Sequence, residues 1–264
     1  MPERGGRERS HGTGRGRGRR GKALAWGWAS ALLLLSAHLL QQDVCAEGTT
    51  AGAADHFSFF DGWPNEPYPL DSVPRFLGNR RRVRCETADL VTYRGTHLRY
   101  ARPVRVRRPF VERLARFEAL VQELALEHYG RPPRRVVHSG GYSCRRARGR
   151  RARISEHALG NALDLRGFDF GPLPRGARLA PGAPRRLRRS FQVRVREHWS
   201  PRRRRDAIHA AFLHRLAETL RARSDIFRGI VGPPRPRHRD HLHLDAAPWR
   251  YAMFGYSAPE PSPD

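Results

Sequence analysis

The sequence predicts an α+β domain, a small mixed or antiparallel sheet with helices packed on one side. Three observations carry that expectation. Two stretches repeat apolar residues at helical spacing: Phe110, Leu114, Phe117, Val121 and Leu124, then Ile208, Phe212, Leu216 and Leu220. Other short stretches alternate apolar and polar side chains with a period of two, as Phe191, Val193 and Val195 do. The chain has 264 residues, 39% of them hydrophobic, enough for one good-sized domain, or two small ones, with a real core.

Taken in order, residues 1–46 read as an export signal. Eight basic residues lie within the first 22, an apolar run follows from Ala23 to Leu35, and Val44-Cys45-Ala46 suits cleavage after Ala46. Extended to Leu40, the apolar stretch is just long enough to act instead as an uncleaved anchor, although Trp26, Trp28 and His38 make it a mediocre one. Residues 47–75, punctuated by Gly, Ala and Pro with scattered aromatics, form a linker able to dock on the domain. The domain proper is placed at 76–255, and 256–264 is a tail.

Within the domain, Leu90 to Tyr93 and Thr96 to Tyr100 flank Arg94-Gly95 and predict a hairpin. Pro109 opens the first helix and Gly130 closes it. Val136-Val137 is a short strand leading into Ser139-Gly140-Gly141, and Ile226 to Val231 is a short apolar strand after the second helix.

The charge is lopsided: 51 Lys and Arg against 25 Asp and Glu, a formal +26, with Lys22 the only lysine. Such a surface attracts polyanions: nucleic acid, anionic lipid or acidic wall polymers. Export makes cytosolic nucleic acid a poor target, and no recognition helix, stacking stripe or known module supports a specific nucleic-acid partner. Membrane contact is expected only through the N-terminal signal or anchor. Export also places Cys85 and Cys144 in an oxidising space, where the two are expected to pair.

Two segments concentrate His and Asp among apolar neighbours: Ser155 to Asp164, and His238 to Asp245. In the first, Gly160 lets the chain turn tightly enough to bring His157 and Asp164 onto one ion. In the second, alternation puts His241, His243 and Asp245 on one strand face and Leu242 and Leu244 on the other. Imidazoles lined up opposite buried leucines suit a ligand, and two histidines with one carboxylate leave zinc an open fourth position, the arrangement of a hydrolytic site. There is no His-Glu-x-x-His, Cys-x-x-Cys or Gly-x-Ser-x-Gly. His209 and His214, five apart on a helix, diverge and make a poor metal pair.

The Ser-x-His-x-x-Gly-x-Ala-x-Asp pattern from Ser155 to Asp164, followed by a late His-x-His, resembles the D-Ala-D-Ala carboxypeptidase and LAS-type zinc peptidases of bacterial cell walls. A closer likeness is to the bacterial extensin-like C-terminal family. It is carried in order by Ser139 to Arg145, Ser155-Glu156-His157, Gly167-Phe168, Trp199, Phe212-Leu213, Val231-Gly232-Pro233 and His238 to Asp245. The peptidase resemblance implies a zinc-peptidase core with His157, Asp164 and His243 as zinc ligands and Asp240 as general base. It likens His241 and His238 to the extra histidines of murein endopeptidases. It also places Arg145 where an arginine binds a substrate carboxylate or steadies an oxyanion.

Alternation turns Asp240 away from His243 unless Arg239-Asp240 lie in a loop ahead of the strand, which its assignment as base requires. The implied function is an exported, zinc-dependent peptidase of the periplasm or cell envelope, acting on peptidoglycan peptides. The alternative is a non-catalytic protein that grips anionic wall polymers and keeps the fold. The long arginine-rich stretch before Ile154 departs from the peptidase pattern.

Overall fold

In the computed structural model, the described residues are 56–59, 66–77, 83–85, 87–148 and 150–256. The export signal or anchor, the rest of the linker and most of the tail lie outside them. Among the described residues no helix is long and apolar enough to cross a membrane.

The fold is α+β. The strands are β1 (His56–Phe59), β2 (Leu90–Tyr93), β3 (Arg99–Tyr100), β4 (Val104–Arg107), β5 (Arg135–His138), β6 (Arg146–Ala147), β7 (Arg150–Ile154), β8 (Ala162–Phe170), β9 (Phe191–Arg194), β10 (Gly229–Val231), β11 (Leu242–Asp245) and β12 (Tyr251–Phe254). The helices are α1 (Arg108–Tyr129), α2 (Val195–His198) and α3 (Ala207–Ala222). The main sheet runs β1-β12-β10-β11-β8-β5-β3, with β9 also paired to β8. Its pairings are mixed: β10 with β12 and β3 with β5 are parallel, the others antiparallel.

Both predicted helices form. Proline stands in the first turn of α1, and Gly130 ends it in the left-handed conformation (φ 75°), donating its N–H to Leu126. The predicted apolar stripe of α1 is wholly buried. Tyr129 at its end meets Phe212 of α3 (ring centroids 5.1 Å apart) and Phe170 of β8 (4.8 Å), so helices and sheet share one core.

The predicted hairpin is not formed. Strand β2 pairs antiparallel with β4, and β3 pairs in parallel with β5. The cause is Glu118 of α1. Its fully buried carboxylate accepts the N–H groups of Thr96 (2.9 Å), His97 (2.6 Å) and Leu98 (3.0 Å) and the Tyr93 hydroxyl (2.7 Å). A buried carboxylate needs such donors, and these hold residues 96–98 in a loop against the helix.

Cys85 and Cys144 form a disulfide, with Cα atoms 5.8 Å apart. Cys85 also packs on a small second core of Ile154, Ala158 and Leu159. The described part of the linker docks on the domain. Tyr68 and Leu70 enter the main core, and Arg75, itself buried, pairs with Glu156 at 3.1 Å.

Strand β8 places the site. Leu163 and Leu165 are fully buried, while Asp164 is partly exposed on the opposite face. Then the register slips. Consecutive Val137 and His138 of β5 face Gly167 and Leu165, leaving Arg166 as an extra residue in β8. This β-bulge reverses the alternation, so Phe168 and Phe170 are buried on even numbers where leucines were buried on odd ones. Gly167 has φ 144°, and a Cβ there would stand 2.0 Å from the Val193 carbonyl oxygen.

Candidate functional site

His157 sits on a single 3-10 turn, Glu156–Leu159, closed by Gly160 in the left-handed conformation (φ 63°). A Cβ on Gly160 would lie 2.7 Å from the Arg107 amide nitrogen, so glycine is required both for the turn and for the close approach of β4. The turn swings His157 back over the start of β8. There the His157 Nδ1–H donates to the Gly141 carbonyl, which turns Nε2 toward Asp164.

Strand pairing supplies the third residue. In the β8–β11 register His243 stands directly opposite Asp164, with Leu244 opposite Leu163 and Leu242 opposite Leu165. Both leucine pairs enter the core, so the polar pair is forced to the other face.

His157 Nε2, Asp164 Oδ1 and His243 Nδ1 thus form a triangle with all three edges 3.0 Å. A tetrahedral zinc ion with bonds of about 2.0–2.1 Å separates its ligand atoms by roughly 3.3 Å. Three atoms at 3.0 Å need only a small outward adjustment, and two imidazoles with one carboxylate are a donor set suited to that ion.

The far nitrogen of His243, Nε2, lies 3.0 Å from Asp245 Oδ2. Asp245 is fully buried and also accepts the Ala247 N–H (3.0 Å) and the Tyr251 hydroxyl. Burial opposes ionisation of both carboxylates, yet Asp245 is held below the usual carboxylate range by His243. Asp164 is held far below it by His157 and His243. Burial likewise opposes charge on His243, but the bonds to Asp164 and Asp245 outweigh it and raise that imidazole to about 10. The pocket of negative potential that favours a proton on His243 favours a divalent cation for the same reason.

His241 faces the triangle, its Nε2 3.6 Å from Asp164 Oδ1. Its Nδ1 is held by Asp240 Oδ1 at 2.7 Å. Arg239 and Asp240 do lie in a turn ahead of β11. Even so, the second Asp240 oxygen pairs with Arg166 Nη2 at 2.8 Å, and Asp240 does not line the cleft onto which the triangle opens. Asp240 is held below the usual range by the His241 bond and by Arg166. His238 lies beside His241, ring centroids 5.1 Å apart, and burial together with the His243 and His241 imidazoles lowers it to about 4.

The cleft has a volume of about 630 Å³ and takes Asp164, His243, His241, His238 and Arg145 among its lining. Of the residues singled out in the sequence, the structure brings together His157, Asp164, His243, His241 and His238. It puts Arg145 on the cleft wall and Asp240 behind His241.

Asp245, Tyr251, the Gly141 carbonyl and Arg166 were not foreseen in supporting roles. Only Asp245 carried a signal, its shared parity with His243.

A second set of donor atoms, from His198, Asp206 and His209, also lies within 4.8 Å. There His198 Nδ1 already accepts the Arg194 N–H (2.9 Å), which leaves the ring proton on Nε2, and His209 Nδ1 bonds the Tyr129 hydroxyl (3.0 Å). Both histidines of that set are thus engaged in hydrogen bonds, and Asp206 pairs with Arg205 at 3.8 Å. His214 turns elsewhere, to the Trp199 carbonyl at 2.8 Å.

Compared with known proteins, residues 75–253 match the family described as extensin-like protein C-terminus. No curated protein and no solved structure matches.

Proposed function

The chain belongs to the extensin-like protein C-terminus family, and from that premise we propose that it is an exported zinc-dependent peptidase acting on peptidoglycan stem peptides or cross-links. The observation that carries the reading is the 3.0 Å triangle of His157, Asp164 and His243 opening onto a cleft of peptide size. Zinc in such a site supplies Lewis acidity, making water a nucleophile near neutral pH and polarising a carbonyl.

The remaining chemistry falls to the chain. With a metal held there, His157 Nε2 and His243 Nδ1 would present lone pairs, because the far N–H of each donates to the Gly141 carbonyl or to Asp245. His241 is the proton acceptor in this reading, with Nε2 facing the triangle and Nδ1 bonded to Asp240. Asp240 stabilises the imidazolium that results, and Arg166 fixes the carboxylate. His238, neutral at neutral pH, accepts a hydrogen bond from substrate at Nε2. Arg145 binds a substrate carboxylate or steadies the developing oxyanion.

The test is digestion of purified muropeptides by the zinc-loaded chain, read by mass spectrometry. New peptide termini are expected with wild type and none after chelation. His241→Ala and Asp240→Asn should each cost ~10²-fold or more in turnover, the scale of a lost proton-transfer group, with zinc retained. No new termini from zinc-loaded wild type would sink the peptidase reading and leave a wall-binding protein.

A further inference from the structure

The turn that carries His157 and the strands that carry Asp164 and His243 meet on one side chain, that of Asn161. It stands between Gly160, which ends the turn, and Ala162, which opens β8, and it is fully buried. Its Nδ2 donates to Glu156 Oε2 at the head of the turn (2.7 Å) and to the carbonyl of Ala246, the residue after β11 (3.0 Å). Its backbone repeats both ties. The Asn161 N–H donates to the Glu156 carbonyl (3.0 Å), and the Asn161 carbonyl accepts the Ala246 N–H (3.3 Å). Turn, β8 and β11 are thereby fixed to one another beside the three residues of the triangle.

The amide has one productive orientation. Reversed, it would turn its oxygen on a carboxylate and a carbonyl and lose both Nδ2 bonds. Tyr68 completes that orientation, because its hydroxyl donates to Asn161 Oδ1 at 2.7 Å. Tyr68 is itself pinned: the Arg113 guanidinium lies 4.3 Å from its ring centroid, and its N–H donates to Asp71 Oδ2 (3.2 Å), while Arg228 pairs with Asp71 Oδ1 (2.6 Å). Arg75, farther along the same segment, donates to both Glu156 oxygens (3.1 and 3.3 Å).

The family match begins at residue 75, so Tyr68 stands ahead of it. It belongs to the segment that the sequence alone reads as a linker, 93 residues before Asn161. A mere tether gains nothing by burying a tyrosine whose hydroxyl ends on the junction beneath the site; burying that hydroxyl is favourable only because Asn161 receives it.

We propose that Tyr68 is a positioning residue, which through Asn161 sets the separations of His157, Asp164 and His243 and makes the segment ahead of the family region part of the site. This rests on the metal reading for its purpose, but its geometry and its first test do not.

Tyr68→Phe removes the hydroxyl and keeps the ring. Tyr129→Phe is the matched control: it removes a buried hydroxyl bond to His209 Nδ1 (3.0 Å), and Tyr129 packs on Phe170, at the far end of β8 from Asp164. Loss of a buried hydroxyl bond should lower Tm in both. The full chain is first read without metal, by nitrogen-15 NMR of the imidazole rings at fixed pH. Tyr68→Phe should move the His157 and His243 ring signals and leave those of His209 in place, and Tyr129→Phe should do the reverse.

Zinc affinity, measured by chelator competition, should fall roughly three- to tenfold in Tyr68→Phe, less than the loss of a partner that touches a ligand, and should hold in Tyr129→Phe. Unmoved His157 and His243 signals in Tyr68→Phe, equal movement of those signals in both variants, or a zinc affinity no lower in Tyr68→Phe than in Tyr129→Phe would each overturn the proposal. A wild-type chain that takes up no zinc sinks the metal reading instead, and the imidazole signals of the metal-free chain still decide this one.

Discussion

Asp245→Asn tests whether the proposed metal centre depends on the carboxylate behind it. In wild type, Asp245 Oδ1 accepts the Ala247 N–H, and Oδ2 accepts from both the Tyr251 hydroxyl and the His243 Nε2–H. An asparagine can keep the Ala247 bond with its oxygen, which places its NH₂ against Tyr251 and His243. Tyr251 adapts by rotating its hydroxyl. His243 adapts only by giving up its Nε2 proton and keeping the one on Nδ1, the atom 3.0 Å from both Asp164 and His157. A protonated Nδ1 has no lone pair to give, so metal binding must first reverse the tautomer.

Loss of a carboxylate partner to a ligating histidine costs about 10–100-fold in metal affinity, or about 1.4–2.7 kcal/mol. The fold should survive, because Glu156, raised by burial and then by Asp245, is relieved when the Asp245 charge is removed. Competition against a chromophoric chelator gives the affinity, and circular dichroism checks the fold. Zinc affinity within twofold of wild type in a folded Asp245→Asn protein would refute the role given to Asp245.

Two other perturbations test the structure. Cys85→Ser/Cys144→Ser opens a bridge that spans 59 residues, and the chain-entropy model assigns it about 4 kcal/mol. For a domain of this size that is a fall of roughly 10 °C in Tm, and calorimetry showing less than about 3 °C would mean that the bridge adds little. His209 is buried, and that burial, chiefly, lowers it to about 4. The native state therefore refuses a proton that the unfolded chain accepts below about 6.5. The corresponding stability, about 3 kcal/mol, is complete above that pH and lost as pH falls toward 4. Urea midpoints should show His209→Gln losing less than wild type between pH 6.5 and 4.5, and parallel curves would contradict the assignment.

Much of the fold was legible because burial leaves a periodic trace. The stripe from Phe110 to Leu124 and the Leu242, Leu244 alternation are visible wherever one face of an element meets the core. The cysteine pair was expected from their number and from the proposed export. What could not be read depends on contacts distant in sequence. Glu118 captures the amides of residues 96–98 from more than twenty residues away, so a strand-turn-strand pattern that looks local is overruled. The bulge at Arg166 breaks the parity of β8 and shows itself only against β5.

At the site, the residue types of the triangle stood out, but their meeting depends on a register that sets Asp164 opposite His243. The partners of the far nitrogens were harder still. A backbone carbonyl such as that of Gly141 has no sequence signature, and Asp240, assigned as base from the peptidase resemblance, is turned toward His241 and Arg166.

The most direct measurement is the zinc content of purified protein by plasma mass spectrometry, for wild type beside His157→Ala, Asp164→Ala and His243→Ala. The account predicts about one zinc per wild-type chain, as a three-ligand open site requires, and loss of stoichiometric zinc in each variant. A wild-type chain that takes up no zinc after incubation with the ion, or three variants that keep full occupancy, would contradict it.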